Sequence, residues 1–195
     1  AEEFARRGAN VILVARRESE LNKLAAQLKK DFGVAAHVIA MDLATTTAGA
    51  QLVAALAKGK HEVDILVNNA GFGTSGRLED DNRERVQQQI LLNVATLTDL
   101  TAAFLPAMLR KDSGVIINIA STASFQPVPG LAVYAATKAY VRSFTEAVWG
   151  EVEGTGVKVL SVSPGATATE FFDVAGNKPF GVLATPADVI NATFK

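Results

Sequence analysis

Three side chains in this sequence could move a proton between them: Ser121, and then Tyr134 and Lys138 in the run Tyr134-Ala-Ala-Thr-Lys138. Tyr134 and Lys138 are spaced i, i+4, which on a helix places them on one face, one above the other. A fixed ammonium beside a phenol favours phenolate and is expected to pull the tyrosine down from its ordinary pKa of about 10. A serine hydroxyl reaching the same point could orient a carbonyl or alcohol oxygen. The set is the outline of a proton-transfer site.

The elements that must position it follow from the hydropathy pattern. Five short β-rich apolar runs, Val11–Val14, Ala36–Met41, Asp64–Val67, Gly114–Ile119 and Val157–Val162, read as continuously buried strands, the form parallel strands take when covered on both faces. Between them the pattern predicts helices at 18–32, 46–60, 79–110 and 130–153, with Gly33 and Gly154 as C-terminal stops. Thr185-Pro186-Ala-Asp188 reads as an N-cap with proline at the first helical position. Strand and helix alternating in this way predict one α/β domain with a doubly wound parallel sheet over 1–195.

Bulk properties remove several function classes. The 195 residues are 49% hydrophobic, with Lys+Arg 19 against Asp+Glu 20 and no long run of either sign. Neither a nucleic-acid groove nor a basic membrane face is expected. Cysteine is absent and the histidines are His37 and His61, so disulfides, thiolate zinc sites and histidine-rich metal centres are excluded. No apolar run reads as a membrane span, and Ala1-Glu-Glu-Phe-Ala-Arg-Arg7 is no signal peptide, so a cytoplasmic globule is expected. A hydrolase is not supported, because there is no G-x-S-x-G turn and neither histidine ends a strand.

The first residues read as the end of a helix stopped by Gly8 and feeding the strand that follows Asn10. A right-handed βαβ unit needs a strand before that helix. In the 3-2-1-4-5-6 order of a dinucleotide-binding sheet it is the central one, followed by the glycine-rich phosphate loop. The sequence therefore predicts an N-terminally truncated domain without that strand and loop, folding poorly and inactive as it stands. The competing reading is a divergent chain with a different first element. Gly71-Phe-Gly73-Thr-Ser-Gly76 matches G-x-G-x-x-G literally. That fingerprint also needs an acid ending the next strand about 20 residues on, and the next strand runs into Ile119-Ala120-Ser121. These glycines are read as a flexible turn.

Asn68-Asn69-Ala70-Gly71 after a strand, Ser121, Tyr134-x-x-x-Lys138, and Pro164-Gly165 after a strand occur in that order. Together they resemble the short-chain dehydrogenase/reductase family over nearly the whole chain, with a Rossmann-like, NAD(P)-binding fold. The resemblance implies a carbonyl/alcohol oxidoreductase. Tyr134 would be the acid in reduction and the base in oxidation. Lys138 would lower its pKa and bind the nicotinamide ribose, and Ser121 would hold the substrate oxygen. Asn93 would link the lysine to a proton relay, or serve as a helix-packing amide. Asn69, Ala70 and Gly71 would line the adenosine side. Asp42, with Leu43 beside it, would meet the adenine, or Asp42 would cap the next helix. Pro164, Gly165 and Thr169 would flank the nicotinamide, and Thr169 could also be a helix N-cap.

NAD-type sites end the second strand in a carboxylate, which repels a 2′-phosphate. Here Ala15 stands in that place, followed by Arg16 and Arg17, and guanidinium groups bind phosphate bidentately. NADP(H) is expected over NAD(H), which stays possible. The helices at 79–110 and 130–153 are apolar over much of their circumference, with Ile90, Leu91, Leu92, Leu97, Leu100 and Phe104 on the first. That predicts a homodimer or homotetramer through both. The substrate is expected to be a small carbonyl or alcohol with an apolar part, from Phe125, Val128, Phe171, Phe172 and Phe180 in the loops around 121–133 and 165–184. A nucleotide-binding scaffold or sensor without turnover is the alternative.

Overall fold

A computed structural model describes residues 1–176 and 183–194; Phe180 lies outside them. The chain divides into two compact units, residues 1–43 and 44–195. The first contains α1 (Glu2–Arg6), β1 (Val11–Ala15), α2 (Glu18–Phe32) and β2 (Ala36–Ala40). β1 and β2 are parallel and in register from Val11↔Ala36 to Ala15↔Ala40. Leu21, Ala25 and Leu28, at helical spacing on α2, bury against Val11, Leu13 and Ala36 of the strands. α2 stops where Gly33 takes the left-handed conformation, φ 69°.

The second unit contains α3 (Ala48–Lys58), β3 (Ile65–Asn68), α4 (Arg83–Ile90), a π-helical turn (Leu91–Thr96), α5 (Leu97–Lys111), β4 (Gly114–Ile119), α6 (Ala132–Glu151), β5 (Val157–Val162), α7 (Phe171–Ala175) and α8 (Pro186–Thr193). β3, β4 and β5 form a parallel sheet in that order. Each crossover contains a helix, as parallel strands require. α8 begins with the expected cap: Thr185 Oγ1 accepts from Asp188 N at 3.2 Å, and the Asp188 carboxylate accepts from Thr185 N at 2.8 Å.

Three expectations are corrected. The helix expected over 79–110 is a 3₁₀ turn (Leu78–Asp80), α4, the π turn and α5 in succession. β3 and β5 are not buried on both faces: α5 and α6 pack against the sheet, while Ile65, Val67 and Leu160 remain 40–41% exposed. Finally, the 29-residue helical run Arg83–Lys111 holds a stretch of mean hydropathy 1.5, long and apolar enough to cross a bilayer. Here it lies against β3, β4 and α6, burying the polar side chains of Gln89, Asn93, Thr96 and Thr101 as well as Leu97, Leu100 and Met108.

A buried polar ladder joins these layers. Asn68 and Asn118 are register partners on β3 and β4. Asn68 Nδ2 donates to Asn118 Oδ1 at 2.9 Å and to Thr101 Oγ1 at 3.1 Å, and Asn118 Nδ2 donates to Thr145 Oγ1 at 3.0 Å. The two threonine hydroxyls donate in turn to Leu97 O and Val141 O on their own helices. Sheet, α5 and α6 are thus tied just below the strand ends that carry the site.

Candidate active site

β4 ends at Ile119, and two residues later the chain turns at Ser121, whose hydroxyl accepts from Ala123 N at 3.1 Å and caps the 3₁₀ turn Thr122–Phe125. Thr122 N donates to Pro164 O at 2.9 Å, holding the segment after β4 beside the segment after β5. α6 then brings Tyr134 back over the strand end, near enough for the Ser121 hydroxyl to favour its phenolate. One turn on, Lys138 is 6% exposed, and its Nζ donates to Ile119 O at 2.6 Å. The ammonium lies 5.8 Å from the Tyr134 ring centroid, at the outer limit of cation–π attraction.

The electrostatics differ from the sequence expectation. Burial pushes the Tyr134 hydroxyl above its ordinary pKa, and the nearby Ser121 hydroxyl only partly offsets that. Lys138 does not pull it down, because its Nζ is turned to the Ile119 carbonyl. Burial lowers Lys138 itself to about 8. At neutral pH the site therefore presents a protonated phenol beside an ammonium that gives up its proton easily.

Asn93 lies in the π turn, 1% exposed. Its Oδ1 accepts from Phe72 N at 3.2 Å, and its Nδ2 donates to Phe72 O at 2.9 Å and to Thr137 Oγ1 at 3.1 Å. The amide is engaged in clamping the loop after β3 to α6. A π turn adds one residue to the helical circuit and is common at functional sites.

Asn69, Ala70 and Gly71 are exposed, and a Cβ on Gly71 would come within 2.9 Å of Asn93 Oδ1 and 3.6 Å of Lys138 Nζ. That is a backbone kept bare beside the site, as the close approach of a nucleotide requires. Gly165 is likewise exposed, with nothing within 4 Å of an added Cβ. Thr169 Oγ1 accepts from Phe171 N at 3.3 Å at the start of α7, the cap-like role. In the first unit Arg16, Arg17 and Asp42 are exposed and Leu43 is buried. These positions fit a dinucleotide phosphate and its ribose chemically, with two guanidinium groups after β1.

Sequence reasoning missed Gly73 and Ser75. Gly73 is buried against Tyr134 and Phe171, and the Ser75 hydroxyl donates to Ala175 O at 2.7 Å. Both were absorbed into a flexible turn. Of the three glycines there, only Gly76, with φ 137°, has a backbone that asks for glycine.

A model of the short chain dehydrogenase family matches residues 1–178. The chain belongs to that family, and it is an oxidoreductase of the carbonyl/alcohol type. The match starts at the first residue and takes in β1 and α2, which corrects the expectation of a truncated domain without its first strand and glycine-rich loop. Serine 3-dehydrogenase of Agrobacterium fabrum is 36% identical over 173 residues, covering 88% of this chain and 67% of that one. The structure of a short-chain dehydrogenase from Sphingobium yanoikuyae in complex with NADPH aligns with a TM-score of 0.93 at 34% identity, over 99% of this chain and 76% of that one. An alcohol dehydrogenase from the archaeon Thermococcus sibiricus complexed with 5-hydroxy-NADP aligns at 0.86 and 26%, over 98% and 81%.

Proposed function

We propose that Tyr134 gives and takes the proton in an NADP(H)-dependent interconversion of a carbonyl and an alcohol. The observation that carries this reading is the convergence of Ser121, at the end of β4, and Tyr134, on α6, beside the buried Lys138 that bonds Ile119 O. NADP(H) is the cofactor: NADPH and a NADP derivative are bound in the two related structures, and Arg16 and Arg17 follow β1 where a carboxylate would repel a 2′-phosphate.

When bound, the nicotinamide would supply a hydride, one hydrogen nucleus with two electrons, to the carbonyl carbon. The chain's own residues do the rest. The Ser121 and Tyr134 hydroxyls donate to the substrate oxygen, where negative charge grows, and Tyr134 passes its proton there as the alcohol forms. Burial keeps Tyr134 protonated at neutral pH, the state that reduction needs. Lys138, charged below about pH 8, fastens the helix that carries Tyr134 to the Ile119 carbonyl beside the reacting oxygen. Asn93 and Thr137 hold the loop that carries Gly71 against this point. In the oxidation direction the same steps run backwards.

Self-association through α4–α5 and α6 is part of the proposal. Ile90, Leu109, Tyr140 and Trp149 are exposed on those helices, and exposed apolar side chains of that size favour a partner. Sedimentation of the purified chain as a monomer would contradict it.

Tyr134→Phe tests the central assignment. Turnover of ketones with NADPH should drop at least about a hundredfold, in the range for loss of a positioned acid, while the Kd for NADPH stays within about twofold. A variant that keeps wild-type kcat would exclude Tyr134 as the proton donor.

A further inference from the structure

Gly73 is a glycine for reasons of space. A Cβ placed there would come within 2.9 Å of Phe171 Cζ, 3.1 Å of Tyr134 Cδ2 and 3.3 Å of Phe171 Cε2. Its φ is not among the left-handed ones. Two rings, one of them the proposed acid, rest on this bare backbone.

The rings form one surface. The centroids of Tyr134 and Phe171 are 5.0 Å apart, tilted by 51°, and Phe172 meets Phe171 edge-on at 5.5 Å and 90°. These are the separations and angles at which aromatic rings attract. The surface starts at the phenol and runs across α7.

The floor beneath it is tied down on every side. Thr74 N donates to Gln89 Oε1 at 3.2 Å and Thr74 Oγ1 to Asp81 Oδ2 at 2.6 Å. Gly76 N donates to Gly130 O at 2.9 Å. The Ser75 hydroxyl, two residues past Gly73, holds Ala175 O at the other end of α7. With the backbone pinned, a side chain at 73 must displace the free end of Phe171 first.

We propose that Gly73 and Phe171 together set substrate selectivity, with Phe171 a wall beside Tyr134 seated on Gly73, and that the wall selects ketones with a flat apolar group next to the carbonyl, such as an aryl ring. The assignment rests on Tyr134 as the proton donor: a substrate oxygen held at that hydroxyl brings one carbonyl substituent against Phe171. An aryl group there completes the aromatic surface; a short alkyl group leaves part of it uncovered.

The test compares acetophenone with 2-butanone, both with NADPH, in wild type, Phe171→Ala, Gly73→Ala and the double variant. In wild type kcat/KM should favour acetophenone. Phe171→Ala should lower that preference about tenfold or more, within the range for loss of an apolar contact, mainly through the acetophenone KM. Gly73→Ala should lower it similarly, and the double variant should be no worse than Phe171→Ala alone, since the displaced ring is gone. An unchanged preference in Phe171→Ala, or strictly additive losses, would overturn the wall. A second measurement does not depend on turnover. Hydrogen exchange at residues 172–176 should speed up in Gly73→Ala and in Ser75→Ala, and unchanged protection in both would also overturn it. If neither ketone is reduced by wild type, the oxidoreductase assignment to these substrates fails by itself, and the exchange data alone decide whether Gly73 seats α7.

Discussion

Lys138 Nζ donates to the carbonyl of Ile119 at 2.6 Å, so the helix that carries Tyr134 is fastened to the end of the strand that delivers Ser121. The bond crosses from α6 to β4 at the level of the proposed chemistry. It keeps a cation in a buried place where burial alone would expel it.

The cost of that placement should be visible in stability. An unfolded lysine keeps its proton to about pH 10.4, whereas folded Lys138 loses it near 8. Between those values the unfolded chain binds more protons, so the stability contributed here rises as pH climbs through the window and is lowest below 8. Lys138→Met should therefore gain urea resistance relative to wild type at pH 7, and the gain should shrink by pH 10. An equal difference at both values would mean that Lys138 does not titrate in that range.

Arg16→Ala should raise KM for NADPH about tenfold or more, the worth of one lost charge-assisted contact, and leave the NADH value nearly unchanged. Kinetics with both cofactors on the same preparations measure this. Equal effects on the two would remove the 2′-phosphate from consideration as the partner of Arg16.

Asn118→Ala should destabilise the second unit by about 2–3 kcal/mol, because the Asn68 amide loses a partner and Thr145 Oγ1 loses its donor in a dry setting. Chemical denaturation reads the loss. Combined with Thr145→Val, the two losses should fall short of their sum by roughly 0.5–1 kcal/mol, the sign of a shared interaction. Simple additivity would argue that the ladder is not energetically connected.

Gly156→Ala should be among the most damaging changes in the chain. A Cβ there would fall 1.8 Å from Asp112 O, a backbone atom, while Gly156 N already donates to Asp112 Oδ1 at 2.6 Å. A loss of about 3–5 kcal/mol is expected, of the size reserved for strain and overpacking. Thermal unfolding near the wild-type temperature would show that the 112–156 approach is looser than described.

Much of this was legible in the sequence because it is local or periodic. The five apolar runs became β1 to β5 within a residue or so, and the Thr185–Asp188 cap formed as the spacing implied. The Ser121–Tyr134–Lys138 set converges because its members end a strand and start a helix, which a linear motif can express. What stayed hidden depends on distant partners or on subtle helix geometry. Spacing puts Lys138 beneath Tyr134 but cannot tell that a carbonyl at Ile119 takes its bond. Nor can it tell that Phe171 rests on Gly73. The π turn was invisible because Ile90, Leu91 and Leu92 are all apolar, and any helical phase fits such a run.

That turn works as a splice. Each α-helical residue advances about 100° around the axis, so the one additional residue in Leu91–Thr96 rotates everything after it by roughly that angle relative to what precedes it. α4 can direct Gln89 towards Thr74 while α5 directs Leu97, Leu100 and Met108 inward. Winding Leu91–Thr96 as regular α-helix with the same residues would swing α5 round relative to α4 by about that angle. Asn93, at the splice, would lose its hold on Phe72 whichever surface gave way.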